Sequence, residues 1–378
     1  MQGRLRVMSK QIPLSQPFLS EIEAKYVSLS VESGWLTQSG KYVEAMEMCI
    51  GKHINGINQS QSVTTTSNGT TAIHLVLMAL GIGPGDEVIV PNFGYIAPVN
   101  CVLMCGATPV VVDVEIDTWC LDPLLVSEAI SENTKAVIAI DNYGALANIR
   151  EIKRLIPEHI IVIEDAAESF PSQLKATAGL FTGDFVTTSF YANKIVTSAE
   201  GGAITGPKNY LEKIQSLKNQ SVKAKGTFEH IDIGFNYRIS NLHAALFAAQ
   251  WERLPLILEN RVRVFNHYFE SLTKAGIEFE SNQYPKYINP WLMTVRLTNH
   301  DYRTEVIRKK LADQGIETRP GFKPASQHAY LKGKIKVSGK TKNSTTLYDE
   351  VISLPTYPEL SNEDIDLICA ALKQALTS

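Results

Sequence analysis

The 378-residue sequence has only five cysteines, at positions 49, 101, 105, 120 and 369, with no CxxC pair and no Cys/His spacing. An odd handful of this kind argues against a disulfide framework and against a thiolate metal site, and suits a reducing compartment. No metal ligation is expected. Cys101 and Cys105, at i and i+4 in PVNCVLMCGA, suit the buried side of a helix, where free cysteine packs as a small hydrophobe. Long apolar runs are missing too: stretches such as HLVLMALGIG are far too short to span a bilayer. Positive charge is not in excess, because 36 Lys and Arg face 39 Asp and Glu for a net charge of -3, which provides no field for nucleic acid. Neither nucleic acid nor a membrane is an expected partner. The opening residues, MQGRLRVMSKQIPLSQPF, lack an apolar core and a small-residue cleavage site, so the expected location is the cytoplasm.

What is present is a chain with 44% hydrophobic residues, long enough for one large and one small domain. Between residue 60 and about 205, short apolar runs (EVIV, PVVVDV, AVIAI, IIVIEDAA, FVTTSF, GAIT) alternate with helical patterns. Strands without a polar face, separated by helices, predict a mainly parallel sheet covered on both sides. The segment NLHAALFAAQWERLPLILENRVRVFNHYFESLTKAG predicts a long helix, kinked near Pro255, leading out of this α/β region. WLMTVRL, RTEVIRKKLADQGIE and DIDLICAALKQAL then read as a smaller C-terminal α+β domain. The expected division is 1–255 and 256–378.

Three features fall where open α/β sheets place their ligands, at strand ends and helix starts. SNGTTAIHL puts small residues at a helix N-terminus, whose backbone N–H groups and positive dipole end suit a phosphate; the same residues are also ordinary helix caps. IIVIEDAAES runs four apolar residues into Glu164 and Asp165, and a carboxylate at the mouth of a buried strand needs a cation or a donor. A cap or internal ion pair satisfies that need, and so does the protonated ring nitrogen of a heteroaromatic cofactor. Lys194 stands between the strand patterns DFVTTSF and GGAIT, with Ser189, Thr197 and Ser198 offering hydroxyls and Gly201 and Gly202 permitting close backbone approach. Lysine is usually a solvated surface residue; one partly removed from water has a lowered pKa and can form a Schiff base. Together, a phosphate anchor, a pyridinium partner and a bonding lysine are the parts that hold pyridoxal phosphate.

In this order the features resemble a fold-type I pyridoxal-phosphate-dependent aminotransferase. More narrowly, the chain resembles the DegT/DnrJ/EryC1/StrS family of nucleotide-sugar aminotransferases and its GDP-perosamine synthase branch. The matches are GWLTQSGKYVEAME, TTSNGTTAIHLVLMALGIGPGDEVIVPNFGYIAPVN, GATPVVVDV, IEDAAESF, GDFVTTSFYANKIVTSAEGGAIT, GFNYRISNLHAALFAAQWER, ETRPGFKPA and SLPTYPELS, over roughly residues 11 to 375. The resemblance implies pyridoxal 5'-phosphate as cofactor, Lys194 as the catalytic residue that bonds it, and Asp165 as partner of the ring nitrogen. It further implies Glu168, often glutamine in related enzymes, near the cofactor hydroxyl, Tyr95 stacked on the ring, and Gly69, Thr70 and Ser189 on the phosphate. Asn236 is similar to a residue that reaches the phosphate from a second subunit, which implies a homodimer with shared sites. The implied reaction moves the amino group of L-glutamate to a nucleotide-linked 4-keto-6-deoxyhexose, giving a 4-amino-4,6-dideoxy sugar for O-antigen or lipopolysaccharide biosynthesis. Relatives with histidine in place of the lysine act as dehydratases, and Lys194 favours transamination. A C3 aminotransferase, a dTDP- or UDP-sugar 4-aminotransferase, or a regulator that holds cofactor without turnover are the alternatives.

Several positions depart from the family pattern. Ala199 in TSAEGG stands where glycine is usual. Gly94 in NFGYIAP replaces a common hydroxyl residue and is expected to enlarge the site. Asn148 replaces an acidic residue, and TFEHIDIGFNYR lacks the aromatic-histidine pattern of the perosamine branch. The last change leaves the nucleotide and the aminated carbon open. Arg238 and Arg319 suit a diphosphate or the glutamate carboxylate, or else surface ion pairs, since guanidinium pairs bidentately with each. His328 is a candidate sugar contact, His74 reads as packing, and Trp35 and Lys41 lie in a segment that in relatives helps close the site, although Trp35 also reads as core.

Overall fold

The computed structural model describes residues 11–55, 63–171, 181–224, 226–282, 289–298 and 303–377. Among the described residues seven strands arise before residue 206: β1 (Val63–Thr66), β2 (Glu87–Pro91), β3 (Thr108–Val112), β4 (Thr134–Ile140), β5 (Ile161–Asp165), β6 (Phe185–Ser189) and β7 (Gly202–Thr205). Five follow: β8 (Phe279–Glu280), β9 (Met293–Leu297), β10 (Arg319–Pro320), β11 (Lys336–Val337) and β12 (Val351–Leu354). The eight-stranded sheet has the order β1-β7-β6-β5-β4-β2-β3-β11, and its pairs are parallel except for the two that β7 makes. The expected mainly parallel α/β sheet is present. Its central strands are buried except near their starts, at exposed Lys135 and half-buried Ile161, as their apolar runs require when helices cover both faces.

The helix Gly69–Ala79 packs into one of these layers, with Ala72, Ile73, Leu75, Val76 and Leu77 among its buried residues. Its start is fixed locally. Asn68 is in extended conformation and its side chain accepts the Thr71 N–H at 2.9 Å, while Thr71 Oγ1 accepts the Asn68 N–H at 3.2 Å. This reciprocal cap holds the first turn against the end of β6.

The long helical segment is two helices rather than one kinked helix. Asn241–Glu252 ends at Arg253 (φ -95°, ψ 5°), and Leu254–Lys274 restarts with Pro255 in its first turn, where proline's missing N–H costs nothing. Beyond it lies an antiparallel sheet in the order β10-β12-β9-β8. Its apolar face packs on Leu254–Lys274 and on the terminal helix Asn362–Thr377 through Val264, Phe265, Met293, Val295, Ile368 and Leu372. In this sheet Arg319 pairs with Ser353, and Trp291 stands just before β9. Both are thereby carried to the carboxyl ends of the large sheet's parallel strands. Among the described residues no helix is long and apolar enough to cross a membrane, and no cluster of His, Cys, Asp and Glu is arranged to hold a metal.

Candidate active site

A cavity of about 630 Å³ opens where the small sheet meets the carboxyl ends of the large one, the usual ligand position for such sheets. Gly69, Thr70, Tyr95, Asp165, Glu168, Ser189, Lys194 and Arg319 all line it, so eight of the eleven residues given a cofactor or substrate role from sequence come together. Asp165 is the last residue of β5 and Ser189 the last of β6, and Lys194 lies in the connection to β7.

The Lys194 side chain is 12% exposed, with Nζ 3.9 Å from Glu168 Oε1. Burial lowers the lysine's pKa, against the two carboxylates Glu168 and Asp165, which raise it. Burial in turn pushes Asp165 up to about 6 and Glu168 up to about 7. The Ala167 N–H donates to Asp165 Oδ1 at 3.1 Å and the Tyr143 N–H to Glu168 Oε2 at 2.7 Å, and both bonds act against that rise. The set is one cation and two carboxyls in little water, each displaced toward its neutral form.

The same cavity also contains a cradle. First-turn amides of a helix have no acceptor within it, and Asn68 takes the Thr71 N–H, so Gly69 and Thr70 present theirs at the cavity. A Cβ at Gly69 would stand 2.9 Å from Ser189 Cβ and 3.3 Å from its Oγ. Glycine therefore lets two amides and a hydroxyl close on one small anion. An anion cradle, a buried carboxyl and a partly desolvated lysine around one cavity fit pyridoxal 5'-phosphate.

Asn236, Arg238 and His328 do not line this cavity. Asn236 Oδ1 accepts from Arg238 Nη2 at 2.9 Å and Nε at 3.2 Å, and Arg238 Nη1 also donates to Asn219 Oδ1. The His328 ring meets Tyr330 edge-on at 5.8 Å. Arg319 lines the cavity and pairs with Glu317 at 2.8 Å, so the expected surface ion pair is present at the cavity rim.

Two expectations are overturned. Gly94 does not enlarge the site, because a Cβ there would lie 2.8 Å from Ile140 Cδ1 and 3.2 Å from Asn142 Oδ1. Trp35 is not core: it is 59% exposed, and its carbonyl accepts from Asn241 Nδ2. His74 does pack, against Phe235 and Tyr237, and Asn148 caps the helix Ile149–Leu155 by accepting the Glu151 N–H. Ala199 has φ +66°, the left-handed region in which glycine is at ease.

Sequence reasoning missed the aromatic wall. Tyr143 stacks on Phe322 at 4.8 Å and on Trp291 at 6.1 Å, and Lys194 Nζ lies 4.0 Å from the centroid of the Trp291 ring. The one local signal was the polar pair Asp141–Asn142 directly before Tyr143, in DNYG.

The model of the DegT/DnrJ/EryC1/StrS aminotransferase family matches residues 17–373. The chain is 34% identical over 368 residues to the GDP-perosamine synthase of Escherichia coli O157:H7, covering 97% of this chain and 98% of that one. To the GDP-perosamine synthase of Caulobacter vibrioides it is 35% identical over 373 residues, covering 97% and 98%. The solved aminotransferase TlmJ from Streptoalloteichus hindustanus shares the fold with a TM-score of 0.87 at 25% identity, covering 97% of this chain and 98% of that one.

Proposed function

The chain belongs to the DegT/DnrJ/EryC1/StrS aminotransferase family, and from that premise we propose that it moves the amino group of L-glutamate to a GDP-linked 4-keto-6-deoxyhexose. The product is a 4-amino-4,6-dideoxy sugar. The observation that carries this reading is the convergence of Lys194, Asp165 and the Gly69–Thr70–Ser189 cradle on one cavity.

In this reading the Gly69 and Thr70 amides and the Ser189 hydroxyl bind the phosphate of pyridoxal 5'-phosphate, and Tyr95 packs on its ring. When bound, the cofactor supplies an electron sink and a carrier for the amino group between the two substrates. Asp165 holds a proton on the ring nitrogen: a carboxyl displaced upward by burial returns to its charged form when a cation faces it. Glu168 orients the cofactor hydroxyl. Lys194 Nζ would hold the cofactor between turnovers and, when free, would take and return the substrate proton. Its lowered pKa suits both duties, since a neutral amine is needed for each. Arg319 at the cavity rim offers a fork to a carboxylate or a diphosphate.

The working unit in this reading is a cytoplasmic homodimer serving O-antigen or lipopolysaccharide biosynthesis. Support for the dimer comes from the segment before Asn236, where Phe228 is 98% exposed and Ile231 and Ile233 are largely exposed. Apolar side chains grouped on one exposed segment mark an interaction surface. Asn236 and Arg238 then belong to the partner's cavity, and His328 to the sugar side. The same reading divides the chain near residue 255, the smaller part bringing Trp291, Arg319 and Phe322 to the cavity.

The test is a product assay with glutamate against GDP-, dTDP- and UDP-linked 4-keto-6-deoxy sugars. Stable amination of the GDP substrate is expected. Preference for another nucleotide would redirect the substrate, while ammonia release with loss of a sugar hydroxyl would make the protein a dehydratase. Purified protein should also show a near-visible cofactor band that Lys194→Ala abolishes.

A further inference from the structure

Trp291 is buried at 4% exposure and lies against the lysine amine, with Lys194 Nζ 4.0 Å from its ring centroid. A cation over an aromatic face is attracted by the ring quadrupole, most strongly for tryptophan and most where water is excluded. The indole is held on several sides. Its Nε1 donates to the carbonyl of Asn193 at 2.8 Å, so the side chain that meets the amine also anchors the backbone one residue before Lys194. Its backbone N–H donates to Asn289 O at 2.8 Å, and its carbonyl accepts from Arg261 Nη1 at 2.7 Å. Arg261 is itself buried on the helix Leu254–Lys274. Tyr143 stacks on the ring at 24°.

We propose that Trp291 is a positioning residue for Lys194, its indole face being the resting place of the lysine amine whenever that amine is not bonded to the cofactor. The inference rests on the aminotransferase reading, because only a lysine repeatedly released and recaptured needs such a place. From it the amine stays 3.9 Å from Glu168 and on the wall it shares with Asp165. These two carboxyls are the charged groups that act on the amine, and both favour its protonated form. Tyr143, Glu200, Arg319 and Lys323 line the same cavity. The indole adds an attraction that does not vary with the ionisation of any of them.

The experiment labels the full, cofactor-free chain with trinitrobenzenesulfonate, which attacks neutral amines, across a pH series, and follows modification at Lys194 by peptide mass. Trp291→Leu removes the π face, and the midpoint of the Lys194 profile is expected to move to lower pH. At a pH where the wild-type amine is mostly protonated, labelling should rise about three- to tenfold. Trp291→Met, whose flexible side chain refills space readily, serves as the second aliphatic variant with the same expectation. Trp291→Phe keeps a π face without the N–H and should keep its midpoint near the wild type. A midpoint unmoved in both aliphatic variants, including a change of plateau alone, would reduce Trp291 to a filler of space and overturn the proposal. Pyridoxal 5'-phosphate should block labelling at Lys194; a failure to protect would count against the cofactor reading while leaving the Trp291 shift to stand.

Discussion

Glu168 faces Lys194 with one carboxyl oxygen, at 3.9 Å from Nζ, and holds the Tyr143 N–H with the other, at 2.7 Å. Burial pushes its pKa from 4.5 up to about 7. A carboxyl whose folded pKa is raised stabilises the fold fully below its unfolded value, and that contribution is lost as pH rises through the folded value. The window is therefore about pH 4.5 to 7, and a shift of this size corresponds to about 3 kcal/mol. Glu168→Gln keeps an acceptor for Tyr143 and cannot ionise. In urea unfolding of the cofactor-free protein, wild type should lose stability relative to Glu168→Gln across that window. Parallel pH curves for the two proteins would contradict the assignment.

Gly69 and Ser189 approach so closely that a single methyl group must displace one of them. Gly69→Ala is expected to weaken pyridoxal 5'-phosphate binding roughly tenfold to a hundredfold, about 1.4 to 2.8 kcal/mol, while leaving the helix intact because alanine favours helix. Cofactor titration followed by absorbance measures this, with circular dichroism as the control. Unchanged affinity would place the phosphate elsewhere.

Much of this site is legible in the sequence because its residues create local conflicts. Asp165 follows an apolar strand, Lys194 interrupts two strand patterns, and the Asn68–Thr70 turn opens an otherwise apolar helix. Each demands a partner that core packing does not supply. Trp291, Tyr143 and Phe322 create no such conflict, since aromatic residues in mixed surroundings read equally well as core. Their meeting with Lys194 depends on the β9 and β10 region folding back over the large sheet, a contact nearly a hundred residues long in sequence for Lys194 and Trp291. Gly94 shows the opposite failure. Losing a side chain suggests space, but Ile140 fills it.

Ala199 holds a left-handed backbone, φ +66°, at a cost of about 1 to 2 kcal/mol for a residue with a Cβ. Its N–H donates to Thr197 Oγ1 at 2.9 Å, which keeps the turn in that form. Ala199→Gly relieves the strain but frees the unfolded chain, so the expected net gain is about 0.5 to 1 kcal/mol. Calorimetry should show Tm rising by about 1 °C with the cofactor band unchanged. A lower Tm would mean that neighbouring contacts already absorb the strain.

Asn236 lies outside the cavity that holds Lys194 and is tied instead to Arg238 and, through it, to Asn219. If each cavity takes Lys194 from one chain and Asn236 from the other, then Lys194→Ala and Asn236→Ala subunits repair each other when mixed. Every mixed dimer then has one cavity with both residues intact and one with neither. After unfolding and refolding at equal amounts, half of the dimers are mixed, so activity should return to about a quarter of wild type from two nearly inactive parents. Gel filtration of the mixture checks that dimers have formed. Dimers that recover no activity would place Asn236 in the same site as its own Lys194, and an active monomer would remove the second subunit from the chemistry altogether.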